Sequence, residues 1–258
     1  IEEFIEPFTD HAPTIGVFGF LLGLYFILPY WEVSAGEALY CFRKMARDNS
    51  LSYPRGGSIA IPETYVRLAK QRGASWSNCQ PWHVHVTCGQ GTERVRAALL
   101  ERFDAGGAAE PDFAFPREYR GVYLQRRREC GFQLYDAVGV ARGDRQAYHR
   151  QHRENFRLFG APHVAVISCD EALGLYGAVD CGGYVANFML AAQASGVATI
   201  AQAALAMYAP LLRDLLDIGP DRRIVCGISF GYADPVHPAN GYRTSRAPLD
   251  QAATWVEH

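Results

Sequence analysis

The chain has 258 residues, a formal net charge of -2, 49% hydrophobic residues and 12% aromatic residues. This length allows one domain with a sizeable core, or one domain with an extension. The composition argues against an intrinsically disordered chain. Because the charge is nearly balanced, there is no basic surplus to neutralise phosphates, and we expect no nucleic-acid partner.

The cysteines are scattered along the chain, odd in number and never arranged as Cys-x-x-Cys. This pattern favours neither a disulfide framework nor a zinc site, and it indicates the reducing cytoplasm. We expect each to be a small buried or half-buried residue rather than a nucleophile. They are Cys41, Cys79, Cys88, Cys130, Cys169, Cys181 and Cys226.

Residues 1–33 differ in character from the rest of the chain, and we treat them as an N-terminal extension of a domain over residues 34–258. An acidic start leads into an uncharged apolar run, residues 15–31, of marginal length for crossing a bilayer. A secretory signal would have a basic start. Three interpretations stay open: a membrane anchor, an arm that packs on a partner subunit, or sequence that is not native to the domain. We do not favour the anchor, since the glycines and aromatic residues of the run also suit protein packing.

The first informative stretch is residues 75–82, which hold small hydroxyls, two side-chain amides and a proline–tryptophan pair. A helix-like segment, residues 62–72, precedes it, and the alternating run His83-Val84-His85-Val86 comes directly after it. The pattern predicts a corner between a helix and a strand, with short polar side chains facing outward. Such loops, held by rigid elements, are where ligands usually bind.

The sequence of this corner, Ala-Ser-Trp-Ser-Asn-Cys-Gln-Pro-Trp, resembles the Pro-Ser-x-x-Asn-x-Gln-Pro-Trp signature of the FMN-dependent nitroreductase family. Ala74 stands where the family usually has proline. The family's N-terminal arginine loop, which grips the FMN phosphate, is not recognisable here. The basic residues that could replace it are equally well explained as solvated surface charges; they are Arg43, Lys44, Arg47 and Arg55.

After the corner, the apolar patterns predict three strands separated by helices. The predicted strands are residues 81–88, 162–168 and 223–232. The predicted helices are residues 92–103, 119–139, 143–159, 178–196 and 210–216.

The predicted helix over residues 119–139 resembles the Tyr-x-x-Arg-Arg-x-x-Cys-Gly-x-x-Leu-Tyr segment of the nitrobenzoate-reductase-like group of that family. The resemblance implies that Arg126 and Arg127 line the mouth of the flavin pocket. There they would meet an anionic substrate or a dinucleotide phosphate. The alternative is a solvated helix face.

The predicted helix over residues 178–196 is almost entirely apolar, but its polar residues and its length favour a buried helix over a membrane span. In the family this helix is central to an intimate homodimer. The next segment, residues 196–205, resembles the family's loop beneath the flavin, where a backbone N–H points at the ring. The tail, residues 240–250, resembles the family's phosphate-gripping segment.

The resemblance therefore implies an α+β, nitroreductase-like fold: a central, mainly antiparallel sheet flanked by helices, in a domain-swapped homodimer with FMN sites at the interface. It also implies three kinds of cofactor-binding residue. Polar side chains of the corner would contact the ring edge or the ribityl chain, backbone groups would lie beneath the ring, and arginines would bind the phosphate. These residues are Ser75, Ser77, Asn78 and Gln80; Ala201 and Gln202; and Arg243 and Arg246.

Other chemistries find little support. The chain has no Gly-x-Gly-x-x-Gly opening a helix after a strand and no Gly-x-Ser-x-Gly elbow. His149 and His152 lack a third ligand at suitable spacing, so we predict no metal site. Of His83 and His85 we expect only one to face a given side of the strand, with a structural role the more common outcome. We assign no catalytic side chain, because in flavin enzymes the cofactor carries the chemistry.

The resulting hypothesis is an FMN-dependent NAD(P)H oxidoreductase that reduces nitroaromatics, quinones or similar flat acceptors by ping-pong hydride transfer. Two alternatives stay open. One is a flavin-fragmenting or dehalogenating relative with the same fold. The other is a non-catalytic or membrane-attached flavin-binding protein.

Overall fold

The structure, a computed structural model, describes Val66, Arg67, Ala69 and residues 73–256. These residues belong to one compact unit, Pro62–His258. The predicted extension over residues 1–33, its boundary, its apolar run and the four basic residues between 43 and 55 lie outside the described part of the chain.

The centre of the described unit is a four-stranded sheet in the order β1-β2-β4-β3. All three strand pairs are antiparallel, which confirms the predicted mainly antiparallel sheet. The strands are β1 (Trp82–Thr87), β2 (His163–Asp170), β3 (Ala198–Gln202) and β4 (Arg222–Gly231).

Each of the predicted helices after the corner has a counterpart. The helices are α1 (Gln90–Asp104), α2 (Gly121–Ala137), α3 (Arg145–Arg153), α4 (Gly174–Ala194) and α5 (Ala209–Leu216). Helix α3 is shorter than the predicted 143–159. After Arg153 the chain forms turns, with the Phe156 N–H donating to the Arg153 carbonyl at 3.0 Å, and Leu158 and Phe159 then adopt left-handed backbone angles that no α-helix contains.

Helices cover both faces of the sheet, and because all three strand pairs are antiparallel the fold is α+β rather than α/β. Since side chains alternate along a strand, β2 supplies Ile167 to one face and Val166 to the other. On the first face, Ile167 packs with Tyr184 and Phe188 of α4. On the second, Val166 packs with residues of α1 and α5, among them Leu99. Burial of each such large side chain stabilises the fold by about 1.5–3 kcal/mol.

One predicted loop contains a strand. Within residues 196–205, Ala198–Gln202 forms β3, an edge strand that pairs with β4 from Ala198↔Gly231 to Gln202↔Gly227. The β-branched residues Thr199 and Ile200 favour this extended conformation. The residues on either side of this strand are the only part of the predicted 196–205 loop that is not extended strand.

The cysteines of the described region are all free. Cys169 and Cys181 are buried, as predicted, but Cys79 and Cys130 are exposed. The prediction of burial was wrong for these two, because they lie on the corner and on the outer helix α2. No helix among the described residues is long and apolar enough to cross a membrane.

Candidate functional site

The predicted corner is a strained turn at the entrance to β1. Ser77, Asn78 and Gln80 have φ values of 48°, 55° and 48°. Non-glycine residues in this left-handed region cost about 1–3 kcal/mol each and persist only where the surroundings fix them. Such strain is common at ligand sites.

Hydrogen bonds within the corner hold this shape. The Ser75 Oγ accepts the Gln80 N–H at 3.0 Å, and the Gln80 Nε2 donates to the Asn78 Oδ1 at 3.1 Å. The backbone N–H of Asn78 donates to the Ser75 carbonyl at 3.1 Å. The side chains of Ser77, Asn78 and Gln80 are exposed, as predicted, whereas half-buried Ser75 braces the turn. The Ser75 hydroxyl hydrogen can still donate to a ligand.

The exit of the corner is fixed to the sheet. Trp82 is buried and stacks on Tyr184 of α4, with ring centroids 5.3 Å apart. The Arg222 guanidinium donates to the Pro81 carbonyl and to the carbonyl and Oγ of Ser168, each at 2.9 Å. Sequence reasoning missed Arg222, since an arginine at the start of a strand carries no local signal for such a contact.

The two histidines of β1 lie on the same face of the strand. Their ring centroids are 4.6 Å apart, because residues two positions apart on a strand point the same way. The expectation that only one of His83 and His85 faces a given side was therefore wrong. Burial, followed by the charges of His83 and Arg222, lowers the pKa of His85, and Asp217 opposes this shift.

Gln202 contributes its side chain to the core rather than to a ligand. It is 3% exposed, its amide nitrogen donates to the Asn155 carbonyl at 2.9 Å, and its amide oxygen accepts from the Ser229 hydroxyl. Ala201 beside it is exposed. This segment can offer a ligand backbone groups, which is the role that the resemblance implied.

The two tail arginines are exposed and bind only local oxygens. Arg243 donates to the carbonyls of Asn240 and Tyr242 at 2.9 and 2.7 Å. Arg246 donates to the Thr244 Oγ1 at 2.7 Å and to neighbouring carbonyls. Within the described residues neither guanidinium pairs with a carboxylate, so both charges are available to an anion. No hydrogen bond in that part of the chain joins them to the corner.

The two arginines of α2 have different surroundings. Arg126 donates to the Gln251 side chain of the tail at 3.1 Å. Arg127 lies 5.0 Å over the ring of Tyr119, an attractive cation–π distance. Helix α2 has no buried residue, so its arginines and aromatic residues stay accessible.

His149 and His152, for which we predicted no metal site, both pack on an aromatic ring. Phe103 lies 4.8 Å from the His149 ring and 5.3 Å from the His152 ring. Among the residues that the structure describes, no group of three or more His, Cys, Asp or Glu side chains has the geometry of a metal site.

Comparisons with known proteins agree with this geometry. The model of the nitroreductase family matches residues 63–232. The chain is 37% identical over 196 residues to the nitroreductase NfnB of Mycolicibacterium smegmatis, covering 74% of this chain and 82% of that protein. It is 33% identical over 205 residues to a 4-nitrobenzoate reductase of Nocardioides sp., covering 77% and 83%.

Solved structures give the same result. The FMN-dependent nitroreductase NfnB from Mycobacterium smegmatis, in complex with NADPH, aligns with a TM-score of 0.74 and 31% identity over 85% of this chain and 100% of that one. The sheet, the helices on both its faces and the polar corner therefore define an α+β fold of the flavin-dependent reductase type. The chain belongs to the nitroreductase family, which confirms the predicted resemblance.

Proposed function

We propose that this chain is an FMN-dependent oxidoreductase that takes reducing equivalents from NAD(P)H and reduces nitroaromatics, quinones or similar flat acceptors. Family membership supports the class of enzyme. The single observation that carries the proposal is the corner, whose left-handed backbone exposes the side chains of Ser77, Asn78 and Gln80. When bound, FMN supplies hydride acceptance and donation, chemistry that no side chain of the corner provides.

The described residues fit this cofactor. The exposed amides of the corner are neutral donors and acceptors suited to the polar edge of a ring or to a ribityl chain. The uncompensated guanidinium groups of the tail suit a phosphate monoester, which accepts paired N–H donors. The residues that would hold the cofactor are Ser75, Ser77, Asn78 and Gln80, the backbone of Ala201 and Gln202, and Arg243 and Arg246.

Helix α2 and the residues just before it supply groups for the substrates. Arg127 and Tyr119 together present a positive charge and an aromatic face, which suit an aromatic carboxylate or a dinucleotide phosphate. Arg126 donates to Gln251 and would have to break this hydrogen bond before it could bind a substrate. In the structure its hydrogen bond holds the tail against α2. We propose a ping-pong order, in which NAD(P)H and the acceptor occupy the same place in turn.

A second copy of the chain is the partner that we propose. One face of α4 exposes Leu175, Val179 and Leu190, which are 73%, 60% and 68% exposed. Between them lie Gly182 and Gly183, where an added Cβ would meet nothing within 4 Å. This apolar stripe with small residues at its centre suits the close approach of an identical helix. Exposed apolar residues of the tail, among them Trp255 and Val256, support a tail that extends onto that copy.

The test is spectroscopic. The purified full chain, reconstituted with FMN, should show the visible band of oxidised flavin, lose it with NADPH without oxygen, and regain it when a nitroaromatic acceptor is added. Arg246→Ala should weaken FMN binding about 10-fold to 100-fold, the effect of one charged hydrogen bond. Arg145→Ala, which removes another exposed arginine without an ion pair among the described residues, is the control. A chain that binds no FMN, or whose bound flavin NADPH does not bleach, would contradict the proposal.

A further inference from the structure

One carboxylate from outside the corner fixes its entrance. The Asp180 Oδ2, on the second turn of α4, accepts the backbone N–H of Trp76 at 2.9 Å. Asp180 lies 104 positions from Trp76 in sequence. A bond from a backbone N–H to a carboxylate is roughly twice as strong as one between neutral groups.

The surroundings of Asp180 support a structural contact with the corner. The Trp76 ring lies 5.2 Å from the Tyr176 ring of α4. The Trp76 and Asp180 side chains, with Cys79 and Leu173, line a cavity of about 220 Å³ between the corner and α4. The corner therefore contacts the first turns of α4 through one pair of aromatic rings and one charged hydrogen bond.

The start of α4 packs against the sheet. Gly177 is buried, and a Cβ added there would lie 3.6 Å from the Cys169 side chain of β2, which is van der Waals distance. Helix and strand are thus in contact one turn before Asp180. The carboxylate therefore projects from a part of α4 that packs on the sheet.

The strain in the corner makes such a support necessary. Three left-handed residues follow Trp76, and these conformations persist only where neighbouring contacts over-determine them. Arg222 holds the exit through the Pro81 carbonyl, and Asp180 holds the entrance through the Trp76 N–H. The exposed amides of Asn78 and Gln80 lie between these two fixed points.

We propose that Asp180 is a positioning residue for FMN: its carboxylate holds the Trp76–Gln80 turn in the conformation that presents Asn78 and Gln80 to the cofactor. The role in FMN binding rests on the proposed function. The role of Asp180 in holding the turn does not depend on it. Asp180 acts through Trp76 and needs no contact with the substrate.

The test combines hydrogen exchange with FMN affinity. In Asp180→Ala without cofactor, amide exchange over residues 73–82 should become faster, and FMN affinity, measured by quenching of flavin fluorescence, should fall about 10-fold. Asp180→Asn should fall between wild type and Asp180→Ala in both measurements, because the amide oxygen can accept the same N–H but makes a weaker, neutral hydrogen bond. Asp180→Leu, of similar volume and without an acceptor, repeats the test if the alanine variant does not fold.

The matched control is Asp144→Ala. The Asp144 Oδ1 also accepts one backbone N–H, that of Ala147, at 2.9 Å, but it does so at the start of α3. This variant should leave both the exchange over residues 73–82 and the FMN affinity unchanged. Wild-type exchange rates in Asp180→Ala and Asp180→Leu would overturn the proposal, and so would faster exchange with unchanged affinity. If the wild-type chain binds no FMN, the proposed function and the cofactor role fall together, and the exchange data still decide whether Asp180 holds the turn.

Discussion

Arg222 joins three segments through a single side chain. It donates to the carbonyl that ends the corner and to two oxygens of Ser168 in β2, while its own backbone begins β4. A planar guanidinium can serve several acceptors, and because its donors are pre-organised it loses less freedom per hydrogen bond than a lysine does. Its charge also reaches His85 on the same side of the sheet and contributes to the lowered pKa of that imidazole.

The lowered pKa of His85 predicts a pH-dependent stability. Burial first, and then the positive charges of His83 and Arg222, disfavour the protonated ring. The folded chain therefore binds fewer protons than the unfolded chain below the ordinary pKa of 6.5. The free energy of unfolding should be at its full value above that pKa and should fall as the pH drops towards the folded pKa.

His85→Gln should remove this contribution. Urea unfolding at about pH 7.5 and about pH 5.5 should show a smaller loss of stability in the variant than in wild type, because glutamine does not titrate. Part of the loss will persist, since burial and then His149 also lower the pKa of His152. Equal losses in the variant and in wild type would show that His85 does not contribute.

At the scale of elements, the loop that leads into α2 is tied to the core through Asp112. Its side chain is 9% exposed, and its carboxylate accepts from Arg213 of α5 at 2.8 Å and from the Ile224 N–H of β4 at 2.7 Å. One carboxylate thus connects this loop with a helix and with a central strand.

Asp112→Ala should lower the free energy of unfolding by about 3–5 kcal/mol, because it leaves the Arg213 charge and a backbone donor without their partner. The control is Glu110→Ala, which breaks the exposed pair with Arg102 at 3.0 Å and should cost at most about 1 kcal/mol. Urea unfolding followed by circular dichroism measures both. Similar losses in the two variants would contradict the argument from burial.

The elements themselves were largely predictable from the sequence, and so was the corner. The continuous apolar runs of β2 and of α4 and the short polar residues around Asn78 are local patterns, and local patterns are visible in the sequence itself. The contacts that fix the site are not local. Arg222 and Pro81 are 141 positions apart, and Asp180 and Trp76 are 104 apart. Which side chains meet over such distances depends on the packing of the sheet and helices, for which neither residue carries a signal of its own.

At the scale of the whole molecule, α4 is a helix with two apolar faces. Tyr184 and Phe188 fill the core on one side, while the stripe with Val179 and Leu190 faces outward on the other. A helix that is apolar all round is normally buried on all sides. The described unit covers one of these faces, and the proposed second copy of the chain covers the other.

Leu190→Arg should therefore break the dimer. A charge placed in an apolar interface without a partner should raise the dissociation constant at least about 100-fold. Sedimentation equilibrium of the full chain should then find a dimer for wild type and a monomer for the variant at the same concentration. Leu215→Arg, on α5 and 37% exposed, is the matched control and should stay dimeric. A wild-type monomer would contradict the proposed homodimer. A dimer that Leu190→Arg leaves intact would exclude α4 as the interface, because an apolar interface does not tolerate an unpaired charge.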